Sequence, residues 1–341
     1  MIQHIYGVDL GTGNIKIYNG QTKKILNEKN IIAIKNKNEL YDFGDNAFEM
    51  FEKAPDNISV TFPIKYGVIA DMNNMGLLFE KFFIKTNHPK IVKSGRFCIA
   101  VPADVTEVEK RAFFDVIADS NIKAKDIKVV EKPIADSVGA GIDPNSPNGN
   151  MIVNIGADTT EISVTSLGGI VISRIIKMGG NRFDEAICSA VRKKYNILIG
   201  LKTAEMLKIK LADAMYKEDD DEPEMEVYGR NIITGLPSSK AVSASIVHNA
   251  IKENITSIIE AIKILLERTP PELSADIIDT GIYITGGSSG IKNLDRLIAL
   301  ETELKVNTIY EPGESVIRGI AKIISDPKLK GLMYTFRETN F

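Results

Sequence analysis

The sequence predicts an α/β protein made of two similar lobes. Apolar strand-like runs alternate with amphipathic helical stripes along the 341 residues. One strand–turn–strand unit occurs twice, at the start of the chain and near its middle. The length suits two cored domains, at roughly 150 residues each.

The first copy of the repeated unit is Ile5-Tyr6-Gly7-Val8-Asp9-Leu10, then Gly11-Thr12-Gly13-Asn14, then Ile15-Lys16-Ile17-Tyr18 with a turn at Asn19-Gly20. The second is Met151-Ile152-Val153-Asn154-Ile155, then Gly156-Ala157-Asp158-Thr159-Thr160, then Glu161 to Ser166 with Leu167-Gly168-Gly169. Each reads as a β-hairpin whose Gly-rich turn can approach an anion. Met75, Leu78, Phe79, Phe82 and Phe83 form a helical stripe. Phe97 to Val101 reads as a buried strand. Thr106 and Glu109 form a capping box that opens a helix with Phe113 and Ile117 on one face. The acidic stretch Lys217 to Glu226 reads as a solvated loop or edge. Ile255, Ile258, Ile259, Ile262, Leu265 and Leu266 form a third stripe, stopped by Pro270-Pro271. All three stripes are read as core. Gly281 to Gly290 reads as a strand entering a Gly/Ser turn and then a helix.

Composition narrows the function. Lys+Arg 42 against Asp+Glu 45 gives a net charge of −3 and no reason to expect nucleic acid. The two cysteines, Cys98 and Cys188, have no metal-ligand spacing and suit a reduced, cytoplasmic setting. Met1 to Ile5 lacks the regions of a signal peptide. No apolar run reaches the ~20 residues of a membrane-spanning helix.

A phosphate cradle needs backbone N–H groups that a ligand can reach without side chains in the way. Gly11, Thr12, Gly13 and Asn14 meet that need, and Asp9 just before them is placed to hold magnesium through its water shell. The turn at Gly286, Gly287 and Ser288 lets a purine or a phosphate lie against bare backbone.

With these motifs in this order, the chain resembles the actin/Hsp70/sugar-kinase superfamily and, within it, the bacterial actin MreB. The passages Gly67-Val68-Ile69-Ala70-Asp71, Val105-Thr106-Glu107-Val108-Glu109, Ser166-Leu167-Gly168-Gly169-Ile170-Val171, Phe183-Asp184-Glu185-Ala186-Ile187 and Glu267-Arg268-Thr269-Pro270-Pro271-Glu272-Leu273 carry the likeness over nearly the whole chain. The resemblance implies an actin-like two-lobed ATPase fold, each lobe a ribonuclease H-like core of a five-stranded mixed sheet with helices plus a smaller insertion. Lobe I would span 1–145, with its core at 1–31 and 75–145 and its insertion at 32–74. Lobe II would span 146–341, with its core at 146–183 and 250–341 and its insertion at 184–249. ATP or ADP with Mg2+ would lie in the cleft. Gly156, Ala157, Asp158 and Thr159 would contact phosphates, Gly180 would lie under the sugar and phosphates, and Glu205 and Lys208 would contact ribose and adenine.

The chain departs from the family at its hydrolytic site. Where the family carries Glu-Glu-Pro, this chain has Glu131-Lys132-Pro133, so Lys132 stands where a Glu would orient the attacking water. A carboxylate accepts a hydrogen bond from water, whereas an ammonium has no lone pair to do so. Asn154 replaces a family Asp that helps hold magnesium waters, so metal binding through Asp9 and Asn154 is expected to be weakened. Asp158 adds a negative charge, and it is expected to pair with Lys132. Thr159, the second water-positioning residue of the family, is kept.

The resemblance implies a self-assembling cytoskeletal protein of cell shape, forming paired antiparallel filaments, with slow or absent ATP hydrolysis. Its richness in Lys, Asn and Ile without Trp, which hints at an AT-rich genome, and its degenerate site resemble paralogues of wall-less helical bacteria, which would give a role in helicity or motility and co-assembly with related paralogues. The basic loop Lys85 to Arg96 reads either as an electrostatic contact with anionic lipids on the inner face or as a solvated loop, and the tail Leu332 to Phe336 ending in Phe341 is the other candidate for membrane or partner contact. A small-molecule kinase and an Hsp70-like ATPase stay open as alternatives.

Overall fold

The computed structural model describes residues 4–87, 94–217 and 222–336. The middle of the basic loop and of the acidic run, and the last five residues of the tail, lie outside the described residues.

Two five-stranded sheets have the same strand order. In the first, Lys24–Lys29, Asn14–Asn19, Ile5–Leu10, Ser94–Val101 and Lys123–Glu131 are neighbours in that sequence. Ile5–Leu10 pairs antiparallel with Asn14–Asn19, which pairs antiparallel with Lys24–Lys29. It pairs parallel on its other side with Ser94–Val101, and that strand pairs parallel with Lys123–Glu131. In the second, the order is Gly169–Ile176, Thr160–Ser166, Asn150–Ile155, Ile282–Thr285 and Val306–Thr308. Asn150–Ile155 pairs parallel with Ile282–Thr285, and Ile282–Thr285 with Val306–Thr308. The repeated sequence unit therefore becomes the first two strands of each sheet. Each hairpin strand is nearly all buried, as expected where both faces of a sheet are covered. Two three-stranded antiparallel sheets also form, besides a two-stranded one of Ile64–Lys65 and Val68–Ile69. One joins Glu39–Phe43, Ile32–Lys35 and Ile58–Thr61; the other joins Ile197–Leu198, Glu224–Asn231 and Pro237–Ser243. Glu224 to Glu226, read from sequence as part of a loop or edge, thus lie in a strand with outward-facing carboxylates.

The helical stripes are core. Met75, Leu78, Phe79, Phe82 and Phe83 of helix Met72–Asn87 are buried in one cluster with Tyr6, Phe97 and Phe113. Thr106 caps helix Glu107–Ala118, and its capping box with Glu109 is formed. Helix Ala244–Arg268 buries Ile255, Ile258, Ile259, Ile262 and Leu265, while Leu266 is half-buried. Both cysteines are free thiols, and burial pushes Cys98 up to about 12.

The chain forms two compact units. One comprises the chain up to Pro147, Thr165–Arg174 and the chain from Glu314; the other comprises Asn148–Val164 and Ile175–Gly313. The C-terminal segment, placed in lobe II by a division at 145/146, thus clusters with the first unit. The reason is packing: Val316, Ile317, Ile320, Ile323 and Ile324 of helix Ser315–Ser325 share a core with Val130, Ile134 and Val138. The tail continues that packing. Tyr334 forms a backbone bridge with Val129, and the rings of Phe336 and Phe114 meet edge-on at 5.7 Å. The described part of the tail, expected as a membrane or partner contact, is seated on its own unit. No helix among the described residues is long and apolar enough to cross a membrane.

Candidate functional site

The first unit holds the turn Gly11-Thr12-Gly13-Asn14. The N–H of Gly11 donates to the carbonyl of Asn14 at 3.0 Å, which closes the turn. A Cβ at Gly11 would lie 2.9 Å from that carbonyl oxygen, so Gly is required by close approach. Asn30, fully buried, staples the turn: its Nδ2 donates to the carbonyl of Gly11 at 2.8 Å and its N–H to that of Gly13 at 3.0 Å. Asn14 donates to Asn27 at 2.8 Å, and Asn27 to Glu314 at 3.0 Å. The four turn residues remain half-exposed, so their backbone is reachable.

Asp9 lies beside this turn and is 3% exposed. It is the cross-strand partner of Lys16. The ammonium of Lys16 lies 3.4 Å from Oδ2 of Asp9, and that of Lys132 lies 3.6 Å from Oδ1. Burial pushes the Asp9 carboxyl upward, but the charges and hydrogen bonds of Lys132 and Lys16 outweigh it, and the net direction is down from the usual value. Lys132 starts helix Lys132–Gly139, with Pro133 in the first turn where its missing N–H costs nothing. Its neighbour Glu131 faces another way, with Oε1 3.3 Å from the ammonium of Lys110. Thus the position expected to orient water carries an ammonium directed at Asp9.

The second unit repeats the turn. The N–H of Gly156 donates to the carbonyl of Thr159 at 2.8 Å, as Gly11 does to Asn14. Two further segments converge on it. Gly180 and Asn181 open helix Gly180–Tyr195, and their N–H groups donate to the carbonyls of Gly156 and Ala157 at 3.0 and 2.7 Å. Ser288 Oγ donates to the carbonyl of Gly156 at 2.9 Å. Gly286 has φ 83°, and a Cβ there would sit 2.3 Å from the carbonyl oxygen of Ile155, so this crossing also requires Gly. Gly287 opens the short 3-10 turn that follows. The structure therefore brings Gly156, Ala157, Asp158, Thr159, Gly180, Gly286, Gly287 and Ser288 into one neighbourhood.

Lys208 sits at its edge. Its ammonium lies 2.8 Å from Asp184 and donates to the carbonyl of Gly180 at 3.0 Å. Expected at ribose and adenine, Lys208 here ties helix Leu201–Leu211 to the start of helix Gly180–Tyr195. Glu205 lies on the same helix, half-buried. Asp158 accepts from Nδ2 of Asn181 at 2.6 Å. Each of the two opposite charges expected to pair, Lys132 and Asp158, therefore has a partner within its own unit.

Sequence reading missed Lys16, Asn30, Asn181 and Asp184. Lys16 was signalled, as a lysine in an otherwise apolar strand opposite Asp9. The others act through contacts between segments, which spacing does not reveal.

A resident magnesium ion does not fit these residues. Magnesium takes carboxylates as acceptors, and here each oxygen of Asp9 already has an ammonium within 3.6 Å. Asn154, the other expected anchor, is a neutral amide. No group of three or more His, Cys, Asp or Glu among the described residues could hold a metal ion.

A Gly-closed turn at the head of each of two five-stranded sheets of identical order defines the class: a mixed α/β protein of the actin-like ATPase superfamily. The family model for MreB/Mbl protein matches residues 3–331, and the chain belongs to that family. It is 37% identical over 321 residues to the cell shape-determining protein Mbl of Bacillus subtilis (strain 168), covering 94% of this chain and 95% of that protein. It is 35% identical over 330 residues to the cell shape-determining protein MreB of Escherichia coli (strain K12), covering 95% and 94%. Among solved structures it matches MreB 5 of Spiroplasma citri bound to AMPPNP with a TM-score of 0.89 and 32% identity, covering 97% of this chain and 98% of that one. The MamK double helical filament matches in fold, with a TM-score of 0.78 and 22% identity over 95% and 99% of the two chains.

Proposed function

We propose that this chain is an ATP-binding, filament-forming actin-like protein of cell shape whose ATP hydrolysis is slow or lost. The turn Gly11–Asn14 offers phosphate contacts within the first unit, and the turn Gly156–Thr159 offers them within the second. The AMPPNP and ADP bound to the Spiroplasma citri relative support nucleotide binding, and the MamK filament supports self-assembly. The observation that carries weak hydrolysis is the ammonium of Lys132, 3.6 Å from Asp9 at the head of its helix. It cannot accept a hydrogen bond from an attacking water. Thr159 keeps a hydroxyl that can position one, and Glu131, held by Lys110, is not a substitute. Losing the orienting acceptor slows the chemical step by about 10²–10⁴-fold. Paired antiparallel filaments, co-assembly with related paralogues, weak contact with the inner face of a membrane and a part in cell helicity or motility belong to the same reading.

Sedimentation with and without ATP, run alongside a phosphate-release assay, tests it. The expected result is pelleting at micromolar protein with phosphate release at or near background. Protein that stays in the supernatant at every concentration would remove the filament; brisk phosphate release would remove the impaired site. Turnover of a sugar in a coupled kinase assay would favour a small-molecule kinase instead.

A further inference from the structure

Lys16, Asp9 and Lys132 form a compact charge cluster next to the Gly11–Asn14 turn. The side chains are 11%, 5% and 23% exposed respectively, and each ammonium lies within 3.6 Å of the one carboxylate. Two ammonium groups share one carboxylate, in a place largely shielded from solvent. Beside the turn's reachable N–H groups, such a cluster attracts phosphate oxygens and repels a dication. The same residues thus disfavour a resident magnesium and favour the bare anion. We infer that this chain binds nucleoside triphosphate without a divalent metal, the ammonium of Lys132 on Asp9 supplying the positive charge that magnesium would bring. Lys132 acts here as a binding residue, which explains why an ammonium at this place is held by Asp9 and not left to solvent. Shielding matters to the size of the effect, because a charge in a low-dielectric setting acts more strongly on a ligand than the same charge in water.

The inference rests on the proposed nucleotide binding, and the experiment separates the two. Calorimetric titration of the full chain with ATP is run once in excess EDTA and once in excess magnesium. The expected result is an affinity in EDTA within about threefold of that in magnesium, well under the tenfold that 1.4 kcal/mol represents. Lys132→Glu changes the local charge by two units, the charge of one magnesium ion. That variant is expected to bind in magnesium but to lose about tenfold or more in EDTA. Lys132→Gln, which is uncharged and milder for folding, is expected to fall between them; circular dichroism checks that each variant is folded. Wild-type binding that survives in magnesium but collapses in EDTA overturns the inference and leaves nucleotide binding standing. Binding in neither condition overturns nucleotide binding itself. A Lys132→Glu variant as metal-independent as the wild type shows that Lys132 is not the source, and also overturns the inference.

Discussion

Asp9 is a buried carboxylate kept ionised by two lysines, and this sets a pH dependence. Its folded value lies below the ordinary 3.8, because Lys132 and Lys16 overcome the upward push of burial. A lowered folded value means that the cluster's contribution is complete above the ordinary carboxylate range. It is lost as pH falls through the folded value. Asp9→Asn leaves two ammonium groups without their carboxylate and is expected to cost about 3 kcal/mol at neutral pH, the lower end for breaking a buried ion pair. Urea unfolding of wild type and variant across acid pH checks this: the gap should narrow below about pH 4, as the wild type protonates. A gap that stays constant into acid would mean that the carboxylate's charge is not what stabilises the cluster. This is also where sequence reading reached its limit. The Lys in Glu131-Lys132-Pro133 was legible as a misplaced charge. Its partner was not, because Lys132 follows strand Lys123–Glu131, which is separated from the Asp9 strand by Ser94–Val101. Only the strand order brings them together.

At the level of elements, helix Lys132–Gly139 is placed by helix Ser315–Ser325. The two cross so closely that a Cβ at Gly319 would lie 1.7 Å from the carbonyl oxygen of Ala135, and one at Gly139 would lie 1.9 Å from that of Ser315. Lys322 then donates to the carbonyl of Val138 at 3.0 Å, a second donor beside the N–H of Gly141 at 3.2 Å. Gly319→Ala must push the helices apart. The expected cost is about 2 kcal/mol, the usual scale of overpacking. Nucleotide affinity should drop as well, since Lys132 heads the displaced helix. Gly331→Ala, where an added Cβ meets nothing within 4 Å, is the control and should stay within about 0.5 kcal/mol. Equal unfolding midpoints for the two variants would rule out the tight crossing. The hairpins, the three stripes and the Thr106 cap were legible because each depends on a local period or on a residue three positions away. The pairing of Gly139 with Gly319 was not, since a Gly in a helix carries no sign of its distant partner.

For the whole molecule, the proposed loss of hydrolysis bears on how the proposed assemblies age. In a nucleotide-driven polymer, hydrolysis changes the bound ligand, and assembly shifts only if the two ligands differ in their affinity for the assembled state. A chain that leaves its ATP intact loses that clock, whatever the strength of its contacts. Filaments assembled with ATP and with AMPPNP should therefore shorten at the same rate on dilution, followed by light scattering with phosphate release measured in the same samples. The turns argue for the same result. Gly11 to Asn14 and Gly156 to Thr159 are closed by their own backbone hydrogen bonds and backed by Asn30 and Ser288. Turns so prepared bind phosphate without needing the γ-phosphate to be cut. Faster shortening of the ATP filaments, in step with released phosphate, would mean that a water is still oriented in this protein despite Lys132. Thr159 would then be the first residue to replace, because it is the remaining hydroxyl at the second turn that could position that water.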